Sequence, residues 1–180
     1  MNYIILGSGG RECAVLHSLK HNSNNNLFCI SNYLNPQINS LVKKYYVIDD
    51  IYSNFNIIKI VLSILEDFNL EKNDCLVFPG SENFLNTGIV NDLLKLGIHS
   101  IGPKKKMAMI ETSKTFCRNY LSYNHLEEFQ PKYFIIYSFA YENLNSIFRK
   151  LGYNFVVKDD GLKGGKGVRI YNKDNYLDAF

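Results

Sequence analysis

The chain has 180 residues, 46% hydrophobic and 21% charged, a balance that excludes a disordered or low-complexity protein. With 20 Lys and Arg against 17 Asp and Glu, the net charge of +3 is too mild to imply a nucleic-acid or membrane partner, yet it suits anionic phosphate ligands. No apolar run approaches the ~20 residues of a membrane span, no leader pattern precedes the first strand, and four scattered cysteines (Cys13, Cys29, Cys75, Cys117) form no C-x-x-C pair or disulfide framework; the expected setting is a reducing cytoplasm.

Short apolar runs at 3–6, 27–30, 45–48, 75–78 and 98–101 read as buried strands with helix candidates between them. Over 54–68, Phe55, Ile58, Val61, Leu62, Leu65 and Phe68 recur at three- and four-residue spacing, which predicts a helix burying that face. A further helix is predicted over 87–96, closed by Gly97 as its C-terminal cap. Strands alternating with helices at this spacing predict an α/β domain over 1–103 built on a doubly wound parallel sheet. Gly102-Pro103 and the run Lys104-Lys105-Lys106 break that rhythm and mark a boundary, the lysines reading as a solvated face. Beyond it a helix is predicted over 113–123, a strand over 133–137 and a helix over 141–151. Strands at 154–158 and 168–171 follow, around a glycine-rich loop, and the residues up to Phe180 read as the start of another helix. So few elements over 104–180 cannot close a core of their own, and this second domain reads as incomplete.

Two glycine loops carry the chemistry. Gly7-Ser8-Gly9-Gly10-Arg11-Glu12 follows the first strand and opens a helix, where free backbone N–H groups and the helix dipole form an anion site. It is a poor dinucleotide fingerprint. Glu12 stands where a third glycine would, set to crowd and repel a pyrophosphate, and Ser31 and Asn32 replace the acidic residue expected after the second strand. A phosphate turn with Arg11 as a charge-assisted donor remains; a tight strand–helix turn without ligand is the other reading. The second loop, Lys158-Asp159-Asp160-Gly161-Leu162-Lys163-Gly164-Gly165-Lys166-Gly167, is not a Walker A loop, because a strand rather than Ser or Thr and a helix follows Lys166. Between antiparallel strands it reads as a flap able to close over nucleotide phosphates. Lys158 would be a fixed charge on the strand and Lys163 and Lys166 would be carried by the flap. A mobile basic hairpin is the alternative.

In order and spacing these segments resemble the phosphoribosylamine–glycine ligases of the ATP-grasp superfamily. The carrying motifs are G-S-G-G-R-E at 7–12, a degraded G-P-E-A-P-L turn at 80–85, Gly102-Pro103, an L-E-x-S-K-x-F pattern at 110–116, and V-V-K-A-D-G-L-x-x-G-K-G-V at 156–168. The resemblance implies ATP-dependent joining of glycine to 5-phosphoribosylamine through glycyl phosphate. It places Gly9, Gly10, Arg11 and Glu12 at the substrate 5-phosphate turn and Glu82 near the ribose. It assigns ATP to Lys114, Lys158, Gly161, Lys163, Gly164, Gly165, Lys166 and Gly167. The first domain then corresponds to the substrate domain and 104–180 to the beginning of the ATP-grasp domain. Because family chains are more than twice this length, the resemblance implies no catalytic or metal-binding residue within this segment. It sets the Mg²⁺ ligands and the glycine site beyond residue 180, leaves a missing C-terminal half as a possible partner, and implies that these 180 residues alone do not catalyse. The departures cluster on the phosphoribosylamine side: Cys13 for the family histidine, Ser81 and Asn83 around Glu82, and Ser31-Asn32-Tyr33-Leu34-Asn35 where a G-N-A-G turn is expected.

Three other functions remain in view. A non-catalytic nucleotide-binding remnant would bind ATP without glycine-dependent ADP release. An NAD(P)-dependent oxidoreductase is opposed by Glu12 and the missing acidic residue, and another ATP-grasp ligase of purine synthesis by the motif at 7–12.

Overall fold

The computed structural model describes residues 1–137 and 141–175, with backbone alone for 141–145. The chain divides into two compact units, Met1–Met109 and Ile110–Phe180. In the first unit, β1 (Asn2–Leu6), β2 (Asn26–Ser31), β3 (Lys44–Val47), β4 (Cys75–Pro79) and β5 (His99–Ser100) form one sheet of order β3-β2-β1-β4-β5. Every pairing is parallel, with Leu6 opposite Ile30 on one side and Pro79 on the other. Between the strands run α1 (Gly10–Lys20), α2 (Pro36–Leu41), α3 (Asn54–Asp67), α4 (Glu82–Thr87) and α5 (Ile89–Lys95).

Alternation along the strands feeds two cores. Ile4, Leu6, Phe28 and Ile30 face α3, α4 and α5 through Ile57, Val61, Ile64, Phe84 and Leu93. Ile5, Leu27 and Cys29 face α1 and α2 through Cys13, Leu16 and Ile38. Burying side chains of this kind contributes roughly 1.5–3 kcal/mol each, and both faces of the sheet are covered, as the doubly wound reading requires. The buried face of α3 differs from the expected one. Val61 and Leu65 are buried, but with Ile57 and Ile64, while Phe55 is 76% exposed and Leu62 is exposed. The helix is apolar on most of its circumference, so periodicity alone allows more than one stripe, and contact with the sheet selects 57, 61, 64 and 65.

The helix expected over 87–96 forms as α5, which Gly88 at φ +87 sets off from α4. Gly97, at φ +74, closes α5 as expected: its N–H donates to the Leu94 carbonyl and that of Ile98 to the Leu93 carbonyl. The lysine run does not break structure. It opens α6 (Lys105–Thr112), whose first amide donates to Asn91 Oδ1 at 2.8 Å.

In the second unit, α7 (Lys114–Tyr123), α8 (Tyr141–Leu151), β6 (Phe155–Lys158) and β7 (Val168–Tyr171) follow. β6 and β7 pair antiparallel, Lys158 opposite Val168, as the flap reading requires. One side of this ribbon packs on α8, with Phe148 stacked on Phe155 at 4.6 Å and Phe155 on Tyr171 at 5.5 Å. The strand expected over 133–137 is not formed. Side chains hold that segment instead of a ladder: the Tyr133 hydroxyl lies 3.1 Å from Ser122 Oγ and its ring lies under Arg118. The helix expected at the approach to Phe180 lies outside the described residues. Among the described residues no helix is long and apolar enough to cross a membrane.

Candidate functional site

The sheet order reverses between β1 and β4, and the carboxyl ends of those strands open the crevice where such folds take ligands. Both loops leaving them continue the ladder before turning. The amide of Gly7 donates to the Ile30 carbonyl and that of Gly80 to the Leu6 carbonyl, each at 2.9 Å. Gly7 then bends at φ +108, a conformation that side chains resist, and α1 begins at Gly10.

The first loop is pinned from three directions. From beneath, Glu12 is buried and turned inward, and its Oε2 accepts from the Gly9 amide at 2.6 Å. Gly9 has no side chain, so only the returning half of a capping box exists. From the flank, Asn35 Nδ2 donates to the Ser8 carbonyl at 2.9 Å. Asn35 is itself set by Tyr45, whose hydroxyl accepts from the Asn35 amide, donates to the Tyr33 carbonyl at 2.8 Å and contacts Ser31 Oγ at 2.8 Å. Burial raises the Tyr45 phenol above its ordinary pKa against the opposing bond to Ser31, so it stays a neutral donor. From behind, the Cys29 thiol faces the Gly7 carbonyl at 3.3 Å, and burial pushes it up to about 12, an inert packing thiol.

Arg11 ties this loop to its neighbour. Its Nη1 donates to the Gly80 carbonyl at 2.8 Å and stands 3.9 Å from Glu82 Oε2, yet its side chain is 67% exposed, leaving donors for a ligand. The first turn of α1 leaves the amides of Gly10, Arg11 and Glu12 without intrahelical acceptors. Gly9, Gly10, Arg11 and Glu82 are thus brought to one crevice, whereas the Glu12 carboxylate is used inside the protein. Gly80 is glycine because a Cβ there would run into the Glu12 side chain. Sequence reading missed this contact and the Tyr33–Asn35–Tyr45 clamp; a polar run in place of the expected glycine turn was the only visible signal for the clamp.

The second loop is held differently. Asp159 N–H donates to the Gly167 carbonyl at 2.8 Å and closes its base. Lys114 Nζ donates to the Gly161 carbonyl at 2.8 Å, so Lys114 meets the first glycine of the loop. Lys158, Lys163 and Lys166 are exposed, and nothing among the described residues lies within 4 Å of where a Cβ would stand at Gly164 or Gly165. Among the described residues no group of three or more His, Cys, Asp and Glu could hold a metal ion.

The family model described as phosphoribosylglycinamide synthetase, N domain, matches residues 1–111. A phosphoribosylamine–glycine ligase of Methanocaldococcus jannaschii is 32% identical over 179 residues, 97% of this chain and 38% of the relative. One from Methanosphaera stadtmanae is 38% identical over 173 residues, 94% of this chain and 36% of the relative. The chain therefore spans less than two fifths of the length of these curated relatives. Among solved structures, the biotin carboxylase domain of Hydrogenobacter thermophilus 2-oxoglutarate carboxylase is similar with a TM-score of 0.69 at 16% identity, over 99% of this chain and 39% of that one. N5-carboxyaminoimidazole ribonucleotide synthetase from Thermotoga maritima gives 0.65 at 16% identity, over 99% and 43%. At such identities these two speak for the fold alone.

Proposed function

Since this chain belongs to the phosphoribosylglycinamide synthetase family, whose N-domain model covers residues 1–111, we propose that the protein serves the ATP-dependent ligation of glycine to 5-phosphoribosylamine. In this reading a glycine carboxylate oxygen attacks the γ-phosphorus of ATP and ADP leaves. The phosphoribosylamine nitrogen then attacks the acyl carbon of glycyl phosphate, releasing phosphate and giving glycinamide ribonucleotide. Such chemistry rests on positioning and charge stabilisation, with no covalent side chain required.

The observation that carries the reading is the convergence of Arg11, the Gly80 carbonyl and Glu82 at the point where the sheet order reverses. Gly9, Gly10 and Arg11 would hold the 5-phosphate and Glu82 the ribose, with Glu12 shaping the turn from within. Residues 1–103 would form the substrate domain and 104–180 the start of the ATP-grasp domain. There Lys114 and Lys158 would meet ATP phosphates, and the loop of Gly161, Lys163, Gly164, Gly165, Lys166 and Gly167 would close over them. The reaction class calls for Mg²⁺, and among the described residues no group of three or more His, Cys, Asp and Glu could hold it.

Calorimetry with ribose 5-phosphate tests the substrate site. Binding that disappears when the phosphate is removed, as with ribose itself, supports the reading. Equal binding of ribose and ribose 5-phosphate, or none of either to a folded chain, removes the phosphate turn from the site.

A further inference from the structure

Asp160 stands at the root of the second loop, and its carboxylate reaches 46 residues back in sequence to the start of α7. Oδ1 accepts from the amides of Lys114 at 2.6 Å, Thr115 at 3.3 Å and Gly161 at 2.8 Å, while Oδ2 accepts from Ser113 Oγ at 3.1 Å. Ser113 Oγ in turn accepts from the Phe116 amide at 3.1 Å. The first three amides of α7 are thereby satisfied by two side chains, and the positive end of its dipole already faces a carboxylate. A ligand phosphate could reach those amides only by expelling Asp160. The ammonium of Lys114, instead of being free, is held by the carbonyl of Gly161, the residue after Asp160.

We propose that Asp160 is a positioning residue that fastens the near root of the glycine loop to α7 and sets the Lys114 ammonium beside it. The part free to swing over a nucleotide is then 163–166 rather than the whole of 161–167. This rests on the nucleotide reading of Lys114 and the loop given above. The far root supports the same division, since Gly167 is tied to Asp159 and a Cβ there would press on Asp159 and Lys163. Between the roots, the Lys166 amide donates to the Lys163 carbonyl at 3.0 Å, and nothing among the described residues lies within 4 Å of a Cβ added at Gly164 (φ +55) or Gly165 (φ +78). The carboxylate behaves as a committed anion. Burial alone would raise its pKa, but the Gly161 amide, with Thr115 and Ser113, outweighs burial and brings it down to about 2.

Amide exchange resolved by NMR on the whole chain tests this without nucleotide. In wild type the amides of Thr115 and Gly161 exchange at least about tenfold more slowly than those of Gly164 and Gly165, because only the former are bonded. Asp160→Ala removes that difference, and Asp160→Asn, which keeps an acceptor, restores part of it. With millimolar Mg-ATP, protection rises at Gly164, Gly165 and Lys166 and stays unchanged at Gly161, and Asp160→Ala weakens nucleotide binding by roughly threefold to thirtyfold, the range of a lost helix cap. Uniform exchange across 161–167 in the free wild type overturns the proposal, as does wild-type nucleotide affinity in a folded Asp160→Ala. A wild type indifferent to Mg-ATP would count against the nucleotide reading itself, and the contrast in the free chain would still decide whether the anchor exists.

Discussion

The two glycine loops use the same residue for opposite ends. In the first, glycine allows close approach: Gly9 and Gly80 lie against the Glu12 side chain, with no room for a Cβ, and the Gly7 amide, the Gly9 amide and the Ser8 carbonyl are held by Ile30, Glu12 and Asn35. In the second, nothing among the described residues lies within 4 Å of a Cβ added at Gly164 or Gly165, and between the tied roots the Lys166 amide donates to the Lys163 carbonyl across a turn. Under the proposed function, a phosphate turn held in shape before its ligand arrives spends little binding energy on ordering itself, whereas a flap must stay loose enough to admit a nucleotide and then close. Glycine content alone does not distinguish these cases; what surrounds the glycines does.

The largest effect expected from this contrast is at Gly80. Gly80→Ala should lower stability by about 3 kcal/mol, the upper range for overpacking, because the buried Glu12 must be displaced. Denaturant unfolding measures it, and Glu12→Ala in the same background should recover much of the loss, since the two changes share one space. An additive double mutant would break the account of the first loop. Next comes Arg11→Ala, which should weaken ribose 5-phosphate binding by about 1.5–3 kcal/mol, the range for a charged hydrogen bond, while leaving the fold intact; calorimetry beside a thermal melt separates the two. Smaller again is Asp160→Ala, expected to lower the stability of the second unit by about 1 kcal/mol as a lost cap.

Acid should reach the same contact. Asp160 has a folded pKa of about 2 against an ordinary 3.8, so the folded state binds its proton less readily than the unfolded one. Its contribution is fully present above pH 3.8 and is lost as the pH falls toward 2, which a carboxyl-carbon NMR titration of Asp160 would follow. A midpoint at the ordinary value would show the anchor to be absent. The smallest effect belongs to Gly164→Ala and Gly165→Ala. Left-handed strain and reduced unfolded-state freedom oppose each other there, and the net change should stay below about 1 kcal/mol.

Much of the architecture is legible from local pattern. Strands one to four are short apolar runs between helical stretches, and parallel order follows from that alternation. Gly9, Gly10 and Arg11 are recognisable because a glycine turn between strand and helix has a local signature. What local pattern hides is whatever long-range contact decides. The α3 stripe is chosen by the sheet from within that helix's wide apolar arc. The lysine run becomes the start of α6 because Asn91, 14 residues earlier, accepts the Lys105 amide. Glu12, expected to repel a ligand phosphate, is turned inward by the Gly9 amide and the space at Gly80, which comes from another strand. Asp160 finds its partners 45–47 residues away, a distance at which spacing carries no signal.

Hydrogen exchange of the whole chain, free, with ribose 5-phosphate and with millimolar Mg-ATP, tests the contrast between the loops most directly. The account predicts that the bonded amides of Gly7 and Gly9 are protected before any ligand is added and change little, whereas those of Gly164 and Gly165 exchange rapidly and slow by about tenfold or more with Mg-ATP alone. Protection at Gly164 and Gly165 equal to that at Gly7 and Gly9 in the free chain, or no slowing with Mg-ATP while the fold is intact, would contradict it.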